Sequence, residues 1–308
     1  MVEKAQFSKQ LLHPKYWLLW LGVGLTHLLT MLPMKWQMRL GALFGRMAMP
    51  FAKSRVHTAR RNLALCFPQM PEAEREQLLK RNFEETGKAI FDTINAWWWS
   101  DKRIQQHMTI KGQEYVQQTL DAGQGVILFA VHCLPLEMGA RIFGQFNPGV
   151  GVYRPHNHPV MEYLQVKGRL RSNKALIPKR DLRQMVRSLR APNVIWYTAD
   201  QDFGRSSAIF IPFFAVPEAA TITGGTTLAK LGKAKVLPFF VERNADDNGY
   251  TIEIEPPLDN YPGENEEADA IRGNHIIEGL ISRNMTQYMW LHRRFKTRPE
   301  KSDPSLYK

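Results

Sequence analysis

Only two cysteines, Cys66 and Cys133, occur in the 308 residues. That excludes a disulfide framework and a multi-thiolate metal centre, and it fits a reducing compartment. Three common signatures are also missing: G-x-x-x-x-G-K-[ST], G-x-G-x-x-G and G-x-S-x-G. A P-loop NTPase, a dinucleotide enzyme and an elbow-type serine hydrolase therefore drop out. No His/Cys cluster has metal-ligand spacing, and His156 and His158 read as polar residues of a Pro-flanked loop. No metal and no cofactor is expected. Acidic side chains are scarce, 29 Asp and Glu against 41 Lys and Arg, for a net charge of +12. A deficit of that size calls for anionic partners: nucleic acid, anionic lipid, or phosphorylated and carboxylated substrates.

Long apolar runs are nearly absent too. The exception is WLLWLGVGLTHLLTML at 17–32, broken only by His27, Thr26 and Thr30. As a helix these residues span roughly 24 Å, short of a hydrocarbon core about 30 Å thick. The segment is expected to be a membrane anchor, either a thin transmembrane helix or one lying in a single leaflet. Trp17, Trp20 and Trp36 suit the interfacial belt. Nothing resembling a signal-peptide cleavage site follows. Lys4, Lys9 and Lys15 precede it, whereas Lys35, Arg39, Arg46, Lys53, Arg55, Arg60 and Arg61 follow. That excess favours the cytoplasmic side for the main body. Residues 34–51, apolar and basic without an acid, read as a helix resting on an anionic surface. The expected division is an anchor at 1–35 and a catalytic domain at 36–308, with a basic membrane-facing collar at 36–70.

What is present in strength is VILFAV at 126–131 followed by HCLPLE at 132–137. A short apolar, β-rich run reads as a buried strand of a parallel sheet, and ligands bind at the carboxyl ends of such strands. His132 stands at that end. On one continuous helix, positions five apart diverge by roughly 140° and would not meet. With Pro135 opening the next helix, Glu137 falls in its first turn and can fold back onto the imidazole. A carboxylate on one ring nitrogen would leave the other free to take a proton, a general-base dyad. The plain alternative is a hydrogen-bonded surface His, with a Glu favoured by the helix dipole. Cys133 reads as a small buried thiol rather than a nucleophile.

Helices are expected at 71–97, 113–120, 136–143, 159–170, 181–189, 219–231 and 266–284. Strands are expected at 126–131, 150–153, 175–177, 194–198, 235–241 and 251–255. Alternation of this kind predicts an α/β fold, a mostly parallel central sheet flanked by helices.

Basic clusters fall where such a crevice would lie. Arg154 follows the strand at 150–153, and Arg169, Arg171, Asn173 and Lys174 sit in GRLRSNK at 168–174. Arg293 and Arg294 lie in the basic run at 290–298. Arginine forks suit phosphate and carboxylate groups. Arg183, Arg187 and Arg190 form one helix stripe, expected as a solvated or lipid-facing surface. Asp200 or Asp202, after the strand at 194–198, is expected to orient an arginine or cap the next element.

Several strings together resemble one family: LHPKYW at 12–17, RNLALCFP at 61–68, VYRP at 152–155, GRLRSNK at 168–174, DQD at 200–202 and QYMWLHRRFKTRP at 287–299. In that order, over nearly the whole length, the chain resembles the bacterial late acyltransferases of lipid A biosynthesis, in the lauroyl/palmitoleoyl branch. The resemblance implies a glycerolphosphate-acyltransferase-like fold. It also implies that His132, supported by Glu137, deprotonates a hydroxyl of an acyl chain on Kdo-bearing lipid IVA. The thioester of acyl carrier protein is the implied donor. Arg169 and Arg154 are then expected at the phosphate or developing oxyanion. Arg171, Asn173, Lys174, Asp200, Arg293 and Arg294 are expected to bind substrate. Nucleic acid is not expected as a partner. The rival readings are a non-enzymatic basic binder, a thioesterase-type hydrolase, and an acyltransferase for another phospho- or glycolipid.

Overall fold

Residues 126–130 are fully buried in the computed structural model, which describes residues 1–308 apart from the side chain of Ser207. A strand apolar along its whole length has to be covered on both faces, and this one, β2 (Val126–Ala130), lies near the middle of a seven-stranded sheet. The other strands are β1 (Met108–Lys111), β3 (Gly149–Tyr153), β4 (Asn173–Pro178), β5 (Val194–Thr198), β8 (Lys235–Arg243) and β9 (Tyr250–Ile254), in the order β1-β9-β8-β2-β5-β3-β4. Every pairing is parallel except β8 with β9. A separate hairpin joins β6 (Ala208–Phe213) to β7 (Val216–Ile222).

The helices are α1 (Trp17–Leu29), α2 (Met34–Ala48), α3 (Lys53–Cys66), α4 (Glu72–Trp98), α5 (Asp101–Gln105), α6 (Gln113–Asp121), α7 (Leu136–Phe143), α8 (Pro159–Arg169), α9 (Leu182–Leu189), α10 (Gly224–Gly232) and α11 (Glu266–Arg283). The chain steps from β2 to β3 to β4 through α7 and α8, then back to β5 and β8 through α9 and α10. Right-handed crossovers in opposite directions put α7 and α8 on one face and α9 and α10 on the other. The long helix α4 packs on α7 and α8, and α2 packs on α4.

Three expectations are corrected here. The apolar N-terminal segment forms a helix of only 13 residues, about 20 Å long. Among the described residues no helix is long and apolar enough to cross a membrane, so the transmembrane reading fails. Residues 34–66 are built into the body of the protein: Met34, Met38, Ala59 and Leu63 share one core with the sheet. In α2, Gly41 and Gly45 lie so close to α4 that a Cβ at Gly45 would collide with the Phe83 carbonyl. The expected helix at 219–231 is shorter, because Val216–Ile222 is strand and the helix begins only at Gly224. Finally, β1 and the hairpin strand β6 lie outside the expected strands.

The outer faces of α1 and α2 are oily. Leu18 is 82% exposed and Phe51 88%, and Trp17, Leu21, Leu25, Leu28, Trp36, Phe44 and Met47 are exposed as well. A contiguous run of large apolar groups in water is the mark of a partner or lipid surface.

Candidate active site

The crevice forms where β2 and β5 end side by side, with Ala130 opposite Thr198 in register. His132 follows β2 by two residues, and Asp200 follows β5 by two. The imidazole Nδ1 lies 2.7 Å from Asp200 Oδ1, and the His132 backbone N–H also donates to that carboxylate, at 3.1 and 3.2 Å. Asp200 is 1% exposed. Burial alone would raise its pKa, but the adjoining His132 holds it below the ordinary carboxylate value. An ionised carboxylate only accepts, so Nδ1 carries the hydrogen and Nε2 keeps its lone pair. Nε2 faces the Thr198 hydroxyl at 3.2 Å. For His132 itself, burial pulls the pKa down, yet Asp200 outweighs it and the net shift is upward.

A C-terminal segment braces this turn from outside. Leu134 donates its N–H to the Gln287 carbonyl at 2.7 Å, and Met289 donates to the His132 carbonyl at 3.1 Å. With its backbone held on one side and its ring on the other, His132 is preorganised.

Glu137 does not serve the imidazole. It stands in the first turn of α7, where the helix turns it toward α8 and α4. There its carboxylate pairs with the guanidinium of Arg169, whose Nε donates at 3.0 Å, and Trp97 Nε1 donates at 3.3 Å. The expected His132–Glu137 contact is thus replaced by His132–Asp200. A forked guanidinium satisfies both carboxylate oxygens, which one ring nitrogen cannot do. Beside the pair, Trp97, Leu136, Ala140, Val152 and Trp196 line a small pocket of about 80 Å³.

Arg169, expected at the phosphate or developing oxyanion, stands here in an ion pair with Glu137. Burial lowers its pKa, but Glu137 reverses the shift and holds it fully charged. Arg171 donates to the Trp97 and Trp99 carbonyls at 2.5 and 2.7 Å, closing the end of α4. Asn173 caps α8 through the Arg169 carbonyl at 2.8 Å. Arg294 is buried, donates to the Ala220 carbonyl at 2.6 Å and lies over the Phe213 ring. These three side chains are engaged with the protein's own backbone carbonyls. Lys174 is exposed and donates to Asn193 at 2.9 Å, while Arg293 lies over the Tyr307 ring. Arg154 is exposed just beyond β3. Asp202 accepts from Thr297 and Gly204, fixing the C-terminal segment. Burial pushes the Cys133 thiol far above its ordinary pKa, which removes it as a nucleophile. Among the described residues no group of three or more His, Cys, Asp or Glu is placed to hold a metal ion.

Sequence reasoning missed Thr198, Trp97 and the partnership of Asp200 with the imidazole. The only signal was that 132 and 200 each follow a strong strand. Which strands pair is decided by the fold.

A histidine at a strand end with a buried carboxylate on Nδ1 defines an α/β protein equipped for general-base chemistry. Residues 4–297 match the family described as "Bacterial lipid A biosynthesis acyltransferase", and the chain belongs to that family. It is 46% identical to a lipid A biosynthesis acyltransferase of Haemophilus influenzae over 98% of this chain and 97% of that protein. The Escherichia coli lipid A biosynthesis lauroyltransferase is 43% identical and the palmitoleoyltransferase 41%, both over the full length of each chain. A solved 1-acyl-sn-glycerophosphate acyltransferase of Thermotoga maritima aligns with 78% of this chain and 99% of its own. At 13% identity and a TM-score of 0.35 that likeness carries no argument; the fold rests on the topology above. The protein is an acyltransferase of lipid A biosynthesis.

Proposed function

We propose that the enzyme transfers a fatty acyl group from acyl carrier protein to a hydroxyl on an acyl chain of Kdo-bearing lipid IVA, with His132 as general base and Asp200 as the residue that positions it. The observation that carries this is the His132–Asp200 pair, which makes Nε2 the accepting nitrogen, turned toward the Thr198 hydroxyl. Nε2 takes the proton from the acceptor hydroxyl as its oxygen attacks the thioester carbonyl. A C–O bond forms, the C–S bond breaks, and the departing thiolate takes its proton from the imidazolium. Such a base contributes about 10²–10⁴ in rate. No cofactor enters. Glu137 and Arg169 act as positioning residues that hold α7 to α8 under the crevice.

The exposed apolar faces of α1 and α2 support a seat in one leaflet of the inner membrane, with the crevice on the cytoplasmic side. Arg183, Arg187 and Arg190 are exposed on α9, across the sheet from those helices, and suit a soluble acidic donor protein.

The test is incubation of the purified protein in lipid with acyl carrier protein thioesters and di-Kdo lipid IVA, beside His132→Ala and Asp200→Asn. A penta-acylated product lost in both variants supports the reading. Free fatty acid without an acylated acceptor would instead make the protein a thioesterase.

A further inference from the structure

A second cavity lies under the first sixteen residues, apart from the Glu137–Arg169 pocket. The chain is pinned at both ends of this stretch. Val2 exchanges two backbone hydrogen bonds of 2.8 Å with Leu176 on the edge strand β4. At the other end, Trp20 Nε1 donates to the Leu11 carbonyl at 2.7 Å and Leu11 packs on Val160 and Leu164 of α8. Between the pins the strap crosses a cavity of about 700 Å³, within the roughly 300–1,000 Å³ range of ligand sites.

The strap side of its lining carries two cations among hydrogen-bonding groups, Lys4, Gln6, Ser8, Gln10, His13 and Lys15, with the Lys15 ammonium over the Tyr16 ring. Opposite them the one acid is Glu162, and both its oxygens are already engaged, by Tyr153 OH at 3.1 Å and the His156 N–H at 2.6 Å. Edge protection of β4 requires only the Val2 contact; it does not require a polar strap over a void. Two neighbours give the cavity its meaning. Tyr16 on its rim leads directly into α1, whose exposed Trp17 and Leu18 face outward. On the inner side, Glu162 and Val166 line the cavity from α8, the helix that carries Arg169 at its end, so the cavity adjoins the residues that frame the crevice.

We propose that this cavity seats the anionic polar head of a membrane-embedded amphiphile, with Lys4 and Lys15 pairing with its phosphate groups while its tails lie along α1. That the amphiphile is the acyl acceptor rests on the function proposed above; the binding itself does not.

Lysine acetylation, read by mass spectrometry on the full chain in phosphatidylcholine vesicles, tests it without any turnover. Adding a diphosphorylated glucosamine-disaccharide lipid should slow labelling of Lys4 and Lys15 about fivefold, the factor of a partly exposed charge contact. Lys233 and Lys235, exposed between α10 and the inner strand β8, should label unchanged. Equal labelling with and without that lipid overturns the proposal, as does equal protection by phosphatidylcholine alone. Protection by inorganic phosphate alone would make this a free-anion site and overturn the amphiphile. In the transfer assay, Lys4→Gln with Lys15→Gln should raise the acceptor KM about fivefold and more than it lowers kcat, with rescue by arginine at both positions. Protection without any acyl transfer by the wild type leaves the cavity standing and sinks the proposed function. Transfer without protection does the reverse.

Discussion

His132 carries its carboxylate on Nδ1, and the pH dependence of the reaction follows from that. Asp200 holds the imidazole above its ordinary pKa of 6.5, and only the neutral ring accepts a proton. The acid limb of kcat/KM should therefore fall at a pH above 6.5. Asp200→Asn removes the anion but leaves the burial, so the residual activity, reduced about 10²-fold or more, should have its acid limb moved to lower pH. Glu137→Ala should lower activity without moving that limb, because Glu137 is bonded to Arg169 and Trp97 and not to the imidazole. If the limb shifts with Glu137→Ala and not with Asp200→Asn, the pairing described here is wrong. The sequence placed His132 at a strand end correctly, but it offered Glu137 as the partner because spacing along the chain is all it contains. Asp200 is 68 residues away, and only the pairing of β2 with β5 brings it to the ring.

Elements meet through contacts that tolerate little change. Arg243 on β8 is fully buried and donates to Asp92 of α4, while its other amine pairs with Glu85; Tyr250 OH adds a 2.7 Å bond to Asp92. Arg243→Ala leaves Asp92 charged and unpaired in the core, a loss of about 3–5 kcal/mol that urea unfolding would register as a lower midpoint. Gly168 on α8 lies flat against Trp97, so a methyl group there would strike the indole. Gly168→Ala should push Trp97 off Glu137, quench or shift tryptophan emission, and lower activity with little change in overall helix content. Unchanged emission and rate would show that the indole position is immaterial. Most helices and the buried strands were legible from periodicity and turn residues, because each is a local amphipathic or apolar pattern. The β6–β7 hairpin was not. Its second strand, with Ala219, Ala220 and Thr221 buried, carries no alternation that separates strand from helix.

At the scale of the whole molecule, charge and oil are segregated. Apolar side chains of α1 and α2 are exposed on the side of the sheet that carries α4, α7 and α8, and the arginines of α9 lie on the other. Replacing Leu18, Leu21 and Leu25 together by Ser should cut co-sedimentation with lipid vesicles at least about tenfold, since each Leu buried in lipid contributes roughly 1.5–3 kcal/mol. The urea midpoint should barely move, because these side chains are exposed in the folded chain. Retained sedimentation would mean that the lipid contact lies elsewhere.

What the sequence determined by itself was local: the apolar strands, the helices between them, the strand-end His132, the surplus of positive charge, and a family-wide set of motifs. Tertiary structure decided everything that depends on which strands are neighbours and which helix faces are covered. It gave His132 the carboxylate of Asp200 and turned Glu137 to Arg169. It turned Arg171 and Arg294 onto backbone carbonyls, and it shortened the apolar N-terminal segment to a helix too short to span a bilayer. The reason is physical. Periodicity records which side of an element is buried, whereas partners distant in the chain are selected only when packing closes the crevice and leaves each buried charge a single route to neutralisation.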